Sequence, residues 1–425
     1  MYSLAFDLGT TTLVGYLLDM SKAETVSTLS QINPQVEYGA DVLSRVTFMQ
    51  ESGANKDILS SCLGEAIERM SLTLLKQVGI SFENSCIGQI VLVGNPVIMG
   101  SIASYEFKLP VVLVPPIGNY VGADALVGAY IVEKERQDVT TDKKDGLLSA
   151  RSLLVDIGTN TEIVLLSDNG KFATSAAAGP ALEGGNISCG MIGKRGAVDK
   201  VTLTKTVSGE IDIITHVIGE IPIDSAEGMC GSGLIDLLAC LLECKVIDNT
   251  GYLYSKTEAL AQNCPKKIAG RIIELAEPSD SGKNGRGFRL TDKIVVTRED
   301  IRALQLAISA IRSGIEMLFL EEKLTDTVID NIYLAGAFGN HIDTDSALRV
   351  GLLPDFDRAK IRQAGNLAGL GACAIASGKA SVSDVIKLKN EIKVISLESK
   401  KEFRDMFMKY MNFCDSGDGS FCHIC

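Results

Sequence analysis

Two stretches of this chain, 149 positions apart, carry the same chemistry-bearing residues in the same order. The first reads Leu4-Ala5-Phe6-Asp7-Leu8-Gly9-Thr10-Thr11-Thr12 and the second Leu153-Leu154-Val155-Asp156-Ile157-Gly158-Thr159-Asn160-Thr161. Asp7 falls on Asp156, Gly9 on Gly158, Thr10 on Thr159 and Thr12 on Thr161. Each copy is an apolar strand, a turn with one Gly flanked by hydroxyls, and a second strand, which is the pattern of a β-hairpin. A Gly admits an anion closely, successive backbone N–H groups and Thr hydroxyls face it, and the strand-end Asp can hold a hydrated Mg²⁺. One such turn is also met as a plain hairpin. Two in matching contexts read as duplicated halves clamping one phosphate chain. Asp7 and Asp156 are thus expected to organise Mg²⁺ through water. Gly9, Thr10, Thr11, Thr12, Gly158, Thr159, Asn160 and Thr161 are expected to cradle β- and γ-phosphates.

Phosphoryl transfer asks for positioning more than for strong base chemistry. Asp124 and Glu183, acids beside glycines, are candidates for orienting an attacking water, the alternative for each being a plain turn residue. A third element, Asn331 to Asn340, is a buried strand opening into a Gly-rich turn where backbone can lie flat against a nucleoside. Gly336, Ala337, Phe338 and Gly339 should line an adenosine pocket, with Gly365 and Asn366 either beside it or forming a helix-packing turn. The three histidines, His216, His341 and His423, are too dispersed in sequence to form a recognisable constellation.

The elements that must position these residues are legible around them. Asp57 to Val78 reads as a helix stopped by Gly79, and Ile87 to Val93 as a buried strand. Leu109 to Pro116 is an apolar run ending in two prolines. Ala226 to Leu242 opens with a Gly-rich turn and becomes an apolar helix. Thr297 reads as an N-cap with Asp300 completing a capping box, ahead of a helix reaching about Leu324. Glu133 to Ser149, polar and charged, reads as a linker or exposed loop, and Pro278 to Phe288 as a flexible surface loop. The expected division is residues 1–150, residues 151–413 and a Cys-containing tail, 414–425. Strands alternating with helices give an α/β architecture.

Composition narrows the class. A chain of 425 residues has ample core for two or three domains. A net charge of -12 argues against sequence-independent nucleic-acid binding, which needs a basic surface. Met1 leads straight into a strand without a signal-like region, and the apolar runs break at Gly, Pro or charges before membrane-spanning length. The expectation is a cytoplasmic protein without membrane partners. Of 11 cysteines, Cys62, Cys86, Cys189, Cys230, Cys240, Cys244, Cys264 and Cys373 lie inside apolar segments, as buried free thiols do.

The order Asp-hairpin, Asp-hairpin, strand-Gly-Ala-Phe-Gly resembles the phosphate-1, phosphate-2 and adenosine motifs of the actin, sugar-kinase and heat-shock chaperone superfamily. That resemblance implies a two-lobed actin-like ATPase fold, with duplicated ribonuclease-H-like domains around a nucleotide cleft, and ATP as ligand. Further blocks sharpen it: Asn33-Pro34-Gln35 with Tyr38-Gly39-Ala40-Asp41-Val42 and Arg45; Val93-Gly94-Asn95 with Met99; Gly122-Ala123-Asp124; Ser175 to Gly184 with Gly190-Met191; Cys230-Gly231-Ser232-Gly233; Asp300-Ile301-Arg302 with Gln305; and Gly365 to Ala372. Together, over residues 1 to about 413, they look like the middle and C-terminal ATPase domains of the reductive activators of corrinoid-dependent enzymes.

Such activators use ATP to bring about reduction of inactive Co(II) corrinoid to Co(I) in methyltransferase systems. The resemblance therefore implies a corrinoid protein as partner, and a homodimer. Family members carry an iron–sulfur domain; this chain starts at its first phosphate hairpin, so the N-terminal module is expected to be missing. At the other end Cys414, Cys422 and Cys425, beside His423, could give three ligands to an iron–sulfur cluster or a zinc ion. A full ferredoxin run needs a fourth. The expectation is a reactive tail and an external ferredoxin-like electron donor. A small-molecule kinase on the same fold, and a nucleotide-dependent binding module without turnover, stay open as alternatives.

Overall fold

Alternate residues of a strand face opposite sides of its sheet, and the first apolar run uses both sides. Leu4 and Phe6 enter one core while Ala5 enters another. The computed structural model describes residues 1–39, 41–81, 87–141, 150–278, 284–323, 329–339 and 341–413. In it β1 (Tyr2–Leu8), β2 (Thr12–Asp19) and β3 (Glu24–Ile32) form an antiparallel meander. Helices α1 (Val42–Glu51) and α2 (Gly53–Gln77) carry the chain back to β4 (Ile87–Gly94), parallel to β1. After α3 (Pro96–Ile102), β5 (Val111–Leu113) completes a sheet of order β3-β2-β1-β4-β5, and α4 (Ala123–Thr141) leads away from it.

The second half repeats the plan. The strands β6 (Ser152–Asp156), β7 (Thr161–Leu166) and β8 (Lys171–Ala176) are again an antiparallel meander. A long insertion follows. It holds β9 (Ala197–Lys205), β10 (Ile211–Val217) and β11 (Gly228–Met229) in one small sheet, then α5 (Gly231–Glu243), α6 (Lys256–Ala261) and α7 (Lys266–Ala269). Its second small sheet is β12 (Ile272–Pro278), β13 (Asn284–Arg289) and β14 (Val295–Thr297). Then α8 (Arg298–Glu322) returns the chain to β15 (Asn331–Ala335), parallel to β6. Past the short α9 (Gly336–Gly339) and α10 (Thr344–Arg349), β16 (Ile361–Gly365) pairs with β15. The C-terminal part adds α11 (Leu367–Ala376), α12 (Val382–Glu391), β17 (Ile392–Val394) and α13 (Lys401–Tyr410). The second sheet runs β16-β15-β6-β7-β8-β17, the first sheet's order with one strand added beyond β8.

The layers follow from which faces are apolar. The outer face of the first sheet packs Leu4, Phe6 and Leu8 against Leu63, Ile67 and Leu74 of α2. The outer face of the second packs Leu153, Val155, Ile163 and Leu165 against the buried stripe of α8. Between the sheets, Ala5, Val91 and Val93 share one core with Leu154, Val164 and Leu166 through α4 and α11. Two helices lie between the sheets, and one of them crosses from its own sheet to the other. α4 packs on β4 of the first sheet and on β6 and β7 of the second, and α11 leaves the second to pack on β1, β2 and β4. Their contact is close because α11 is built of small residues: a Cβ at Gly371 would stand 2.5 Å from Val127 Cβ.

The expected helices and strands stand where composition put them, with three corrections. Glu133 to Ser149 is not a loop throughout, since α4 continues to Thr141, with Glu133 and Arg136 4% and 5% exposed. Arg136 Nε donates to Glu133 Oε2 at 2.7 Å and Nη1 to Asp168 Oδ1 at 2.9 Å, so these charges are buried as a pair rather than solvated. Pro278 to Phe288 is likewise not all loop: Asn284–Arg289 is a strand, and Phe288 is fully buried. Third, α8 is long and apolar enough to cross a membrane by composition, yet 72% of that apolar window is buried inside the fold, as in a core helix. Among the cysteines, Cys189, Cys230, Cys240, Cys244 and Cys264 are buried free thiols, Cys62 and Cys373 are half-buried, and Cys86 lies outside the described residues.

Candidate functional site

Ligands of α/β proteins bind at the carboxyl ends of parallel strands, where loops and helix N-termini converge. Here those ends belong to both sheets and face one cleft of about 470 Å³. Asp7 lies near the end of β1, Asp156 ends β6, Gly336 follows β15, and Asn366 follows β16 at the start of α11. Asp124 comes from the first turn of α4, and Glu183 from a 3-10 turn, Pro180–Glu183. The two hairpins that repeat in sequence thus meet across a single space.

Of the expected residues, Asp7, Gly9, Thr10, Thr11, Thr12, Asp124, Asp156, Gly158, Thr159, Asn160, Glu183, Gly336, Gly365 and Asn366 line the cleft. Thr161 does not. It is fully buried, with its hydroxyl directed to Gly158 O at 3.4 Å. The reason is register. Asp7 pairs with Val14 across six intervening residues, whereas Asp156 pairs with Glu162 across five. The second hairpin is one residue shorter, so Thr161 takes the inward place that Leu13 holds in the first, and Glu162 takes the cleft-facing place of Val14.

The Gly-rich turn is corrected in part. Gly336 adopts φ +85°, and a Cβ there would stand 2.6 Å from Asp156 Oδ1, so only Gly allows this approach. Phe338, in contrast, is buried in the core of the second half against Gly231, and Gly339 packs on Leu334. The side chain of Ala337 and the tail cysteines Cys414, Cys422 and Cys425 lie outside the described residues. Asn366 faces Asp7 rather than the Gly336 turn: its Nδ2 donates to Asp7 Oδ2 at 2.7 Å. His341 also lines the cleft, while His216 sits away from it on β10, between Asp199 and Glu220.

Several residues that brace the first turn carried no chemistry in the sequence reading. Asn33 Nδ2 donates to Gly9 O at 2.9 Å, and Asn95 Nδ2 to Thr10 Oγ1 at 3.1 Å. Arg45, 1% exposed, donates from Nε to Gly39 O at 2.9 Å and from Nη2 to Thr10 O at 2.5 Å. In the second turn the brace is an acid: Thr159 Oγ1 donates to Glu183 Oε2 at 2.6 Å. Glu162 was missed altogether. Its signal was an acid standing second in TEIVLL, a strand otherwise read as wholly apolar.

Five carboxylates therefore line the cleft, from Asp7, Asp124, Asp156, Glu162 and Glu183, and no Lys or Arg does so among the described residues. Burial pushes Asp7 up to about 7; the Asn366 bond pulls against this, and the Asp124 charge adds to it. Asp156 also rises to about 7, from burial and then from Asp124 and Asp7. Asp124 rises to about 6 by burial, opposed by its own helix amides. Glu162 is raised well above the usual range by burial and by the charges of Asp124 and Asp156. Such groups hold protons near neutrality unless a cation inverts the local field.

The donor set fits a hydrated divalent cation. Among the described residues no three acidic, His or Cys side chains converge closely enough to chelate an ion directly. Mg²⁺ keeps several waters and shares phosphate oxygens, so separated carboxylates beside hydroxyl-rich turns suit it. The close backbone approach at Gly336 and the hydroxyl-rich turns fit an extended polyanion between the hairpins.

Comparison with known proteins agrees with this geometry. A family model described as the C-terminal domain of RACo, the ASKHA domain, matches residues 150–424, and a model of the RACo middle region matches residues 2–106. The chain is 31% identical over 405 residues to the corrinoid activation enzyme RamQ of Eubacterium limosum, across 88% of this chain and 63% of the relative. It is 24% identical over 473 residues to a Co(II) methylated amine-specific corrinoid protein reductase of Methanosarcina barkeri, across 98% and 78%. A solved reductive activator for corrinoid, iron–sulfur protein superposes with a TM-score of 0.77 at 26% identity, covering 97% of this chain and 66% of that one. The chain thus spans just under two thirds of the length of RamQ and of that solved activator.

Proposed function

The chain belongs to the RACo family and carries its actin-like ASKHA fold, and on that premise we propose that it is an ATP-dependent activator of a corrinoid protein. The reaction served is the reduction of Co(II) to Co(I), with one electron taken from an external ferredoxin-like donor. The observation that carries the nucleotide part is the meeting of two Asp-hairpins, 149 residues apart, across one acid-rich cleft. Names of the relatives carry the corrinoid part: a corrinoid activation enzyme and a corrinoid protein reductase.

The geometry supports the following roles. The backbone and hydroxyls of Gly9 to Thr12, with Gly158 to Asn160, hold the phosphates. Asp7 and Asp156 hold Mg²⁺ through water; the ion, when bound, neutralises phosphate charge and polarises the phosphoryl oxygens. Asp124 faces the cleft from a helix N-terminus and orients water, while Glu183 fixes the Thr159 hydroxyl. Gly336 shapes the nucleoside wall.

Nucleotide promotes reduction only by favouring one arrangement of the activator and its partner over another. The helices α4 and α11 between the sheets give the fold a means to do this. α11 is attached to the second sheet and packed on the first, and α4 bridges the two, so a change in spacing at the cleft moves both packed faces. The lobes of this reading are residues 1–150 and 151–413, in a cytoplasmic protein that acts as a homodimer. The test is Co(I) formation from a corrinoid protein with an artificial donor, followed by cobalt absorption, with and without Mg–ATP. ADP production that needs a small phosphate acceptor and ignores the corrinoid protein would instead make the chain a kinase.

A further inference from the structure

Asn366 stands where the chain crosses from the second sheet to the first, between the end of β16 at Gly365 and the start of α11 at Leu367. Its side chain is divided between two tasks. Oδ1 accepts from the backbone N–H of Gly369 at 2.6 Å, which caps α11, and Nδ2 donates to Asp7 Oδ2 at 2.7 Å. The cap fixes the amide's orientation, because only its oxygen can accept the Gly369 N–H. The first turn of α11 is also closely packed, since a Cβ at Gly369 would stand 2.3 Å from the Tyr16 hydroxyl. The donor is therefore presented to Asp7 by a rigid support.

Asp156, the other repeat aspartate, has no such partner. No hydrogen bond from a described residue reaches its carboxylate; Gly336 presses on it, and Glu162 is its partner across the strand pair. The two aspartates are alike in sequence and differ in how they are held.

We propose that Asn366 is a positioning residue for the cation. By engaging one oxygen of Asp7, it leaves the other as the oxygen presented to the hydrated ion, and it ties that oxygen to the crossover helix α11. This inference rests on the Mg–nucleotide reading of the cleft. Groups that orient a direct metal ligand change ion affinity by about 10–100-fold when removed; Asp7 reaches the ion through water, so the low end of that range applies to Asn366.

Two substitutions separate the tasks. Asn366→Ser keeps a side-chain oxygen able to cap α11 and loses the donor to Asp7; Asn366→Ala loses both. The measurement is the thermal midpoint with a fixed concentration of a slowly hydrolysed ATP analogue, titrated with Mg²⁺. Asn366→Ser should need about tenfold more Mg²⁺ for half of the nucleotide-dependent shift. Its nucleotide affinity at saturating Mg²⁺ and its nucleotide-free midpoint should stay near those of the parent. Asn366→Ala should show the same change in Mg²⁺ requirement, with a lower nucleotide-free midpoint. A parental Mg²⁺ requirement in Asn366→Ser overturns the inference, as does an equal loss of nucleotide affinity at all Mg²⁺ concentrations, which marks a structural role. A parent protein with no Mg²⁺-dependent nucleotide shift sinks the cleft reading itself, and the inference with it.

Discussion

The two hairpins begin from nearly the same residues and end as different instruments. The first is braced by neutral and cationic donors: Asn33 on Gly9, Arg45 and Asn95 on Thr10, and Asn366 on Asp7. The second is one residue shorter and is surrounded by acids, Glu183 on Thr159 and Glu162 opposite Asp156. Duplication supplied the same turn twice. A register difference of one residue then converted a cleft-facing Val14 into a cleft-facing Glu162. The first copy is built to hold its geometry, and the second gathers buried carboxyls that hold protons near neutrality unless a cation takes their place.

The largest effect should come from removing either strand-end acid. With Mg–ATP at about 100 times its Kd, binding adds about 2.7 kcal/mol to the stability of the parent. Asp7→Ala and Asp156→Ala should each abolish most of the resulting shift in thermal midpoint. Neither should lower the nucleotide-free midpoint, because a carboxyl pushed up to about 7 by burial is a cost to the fold at neutral pH. Full nucleotide shifts in both variants would remove the cradle assignment.

Gly336→Ala should come next. It forces a Cβ against Asp156 and Ile157 at a positive φ, a strain on the order of 1–3 kcal/mol. Chemical denaturation should show that loss, together with weaker nucleotide binding. A variant as stable as the parent would mean that the turn relaxes.

A third effect is in pH. Asp7 and Asp156 titrate at about 7 and Asp124 at about 6 when folded, against an ordinary Asp value near 4, so in that window the folded state binds more protons than the unfolded. By linkage their contribution is most favourable below the unfolded value and is lost as pH rises through about 7. The cation-free protein should therefore lose stability from pH 5 to pH 8 more steeply than Asp156→Asn, as read from denaturation midpoints at several pH values. Equal slopes would show that the Asp156 carboxyl is not strained by burial.

The smallest effect should be at Thr161. Its bond to Gly158 O is long, and it occupies a buried place that the first copy fills with Leu13, so Thr161→Val should change stability by about 1 kcal/mol or less. It should also leave the nucleotide shift intact. A lost shift would return Thr161 to the phosphate-binding residues and deny that the register difference removes it from the cleft.

Much of this was legible in the chain because the informative residues are few and local. The Asp-Gly-hydroxyl turns, the capping box at Thr297 and Asp300, and the stop at Gly79 each act within one turn of backbone. The hairpin register was hidden because Thr12 and Thr161 align in sequence while their pairing differs. Phe338 read as a pocket wall since a Gly-rich turn does not say which of its side chains turns inward. Glu133 and Arg136 read as solvated because composition cannot show that two charges three residues apart are paired beneath β8. The placement of α4 and α11 between the sheets leaves no local mark at all. It follows from packing small residues such as Gly371 at a distance in sequence.

The most direct measurement is of cobalt itself. A corrinoid protein in its Co(II) state, mixed anaerobically with this chain and a soluble artificial electron donor, should yield the Co(I) absorption spectrum only when Mg–ATP is present. The Asp7→Ala and Asp156→Ala variants should leave the cobalt as Co(II). The absence of both binding and ATP-dependent Co(I) across a panel of corrinoid proteins from the same organism would contradict the activator function.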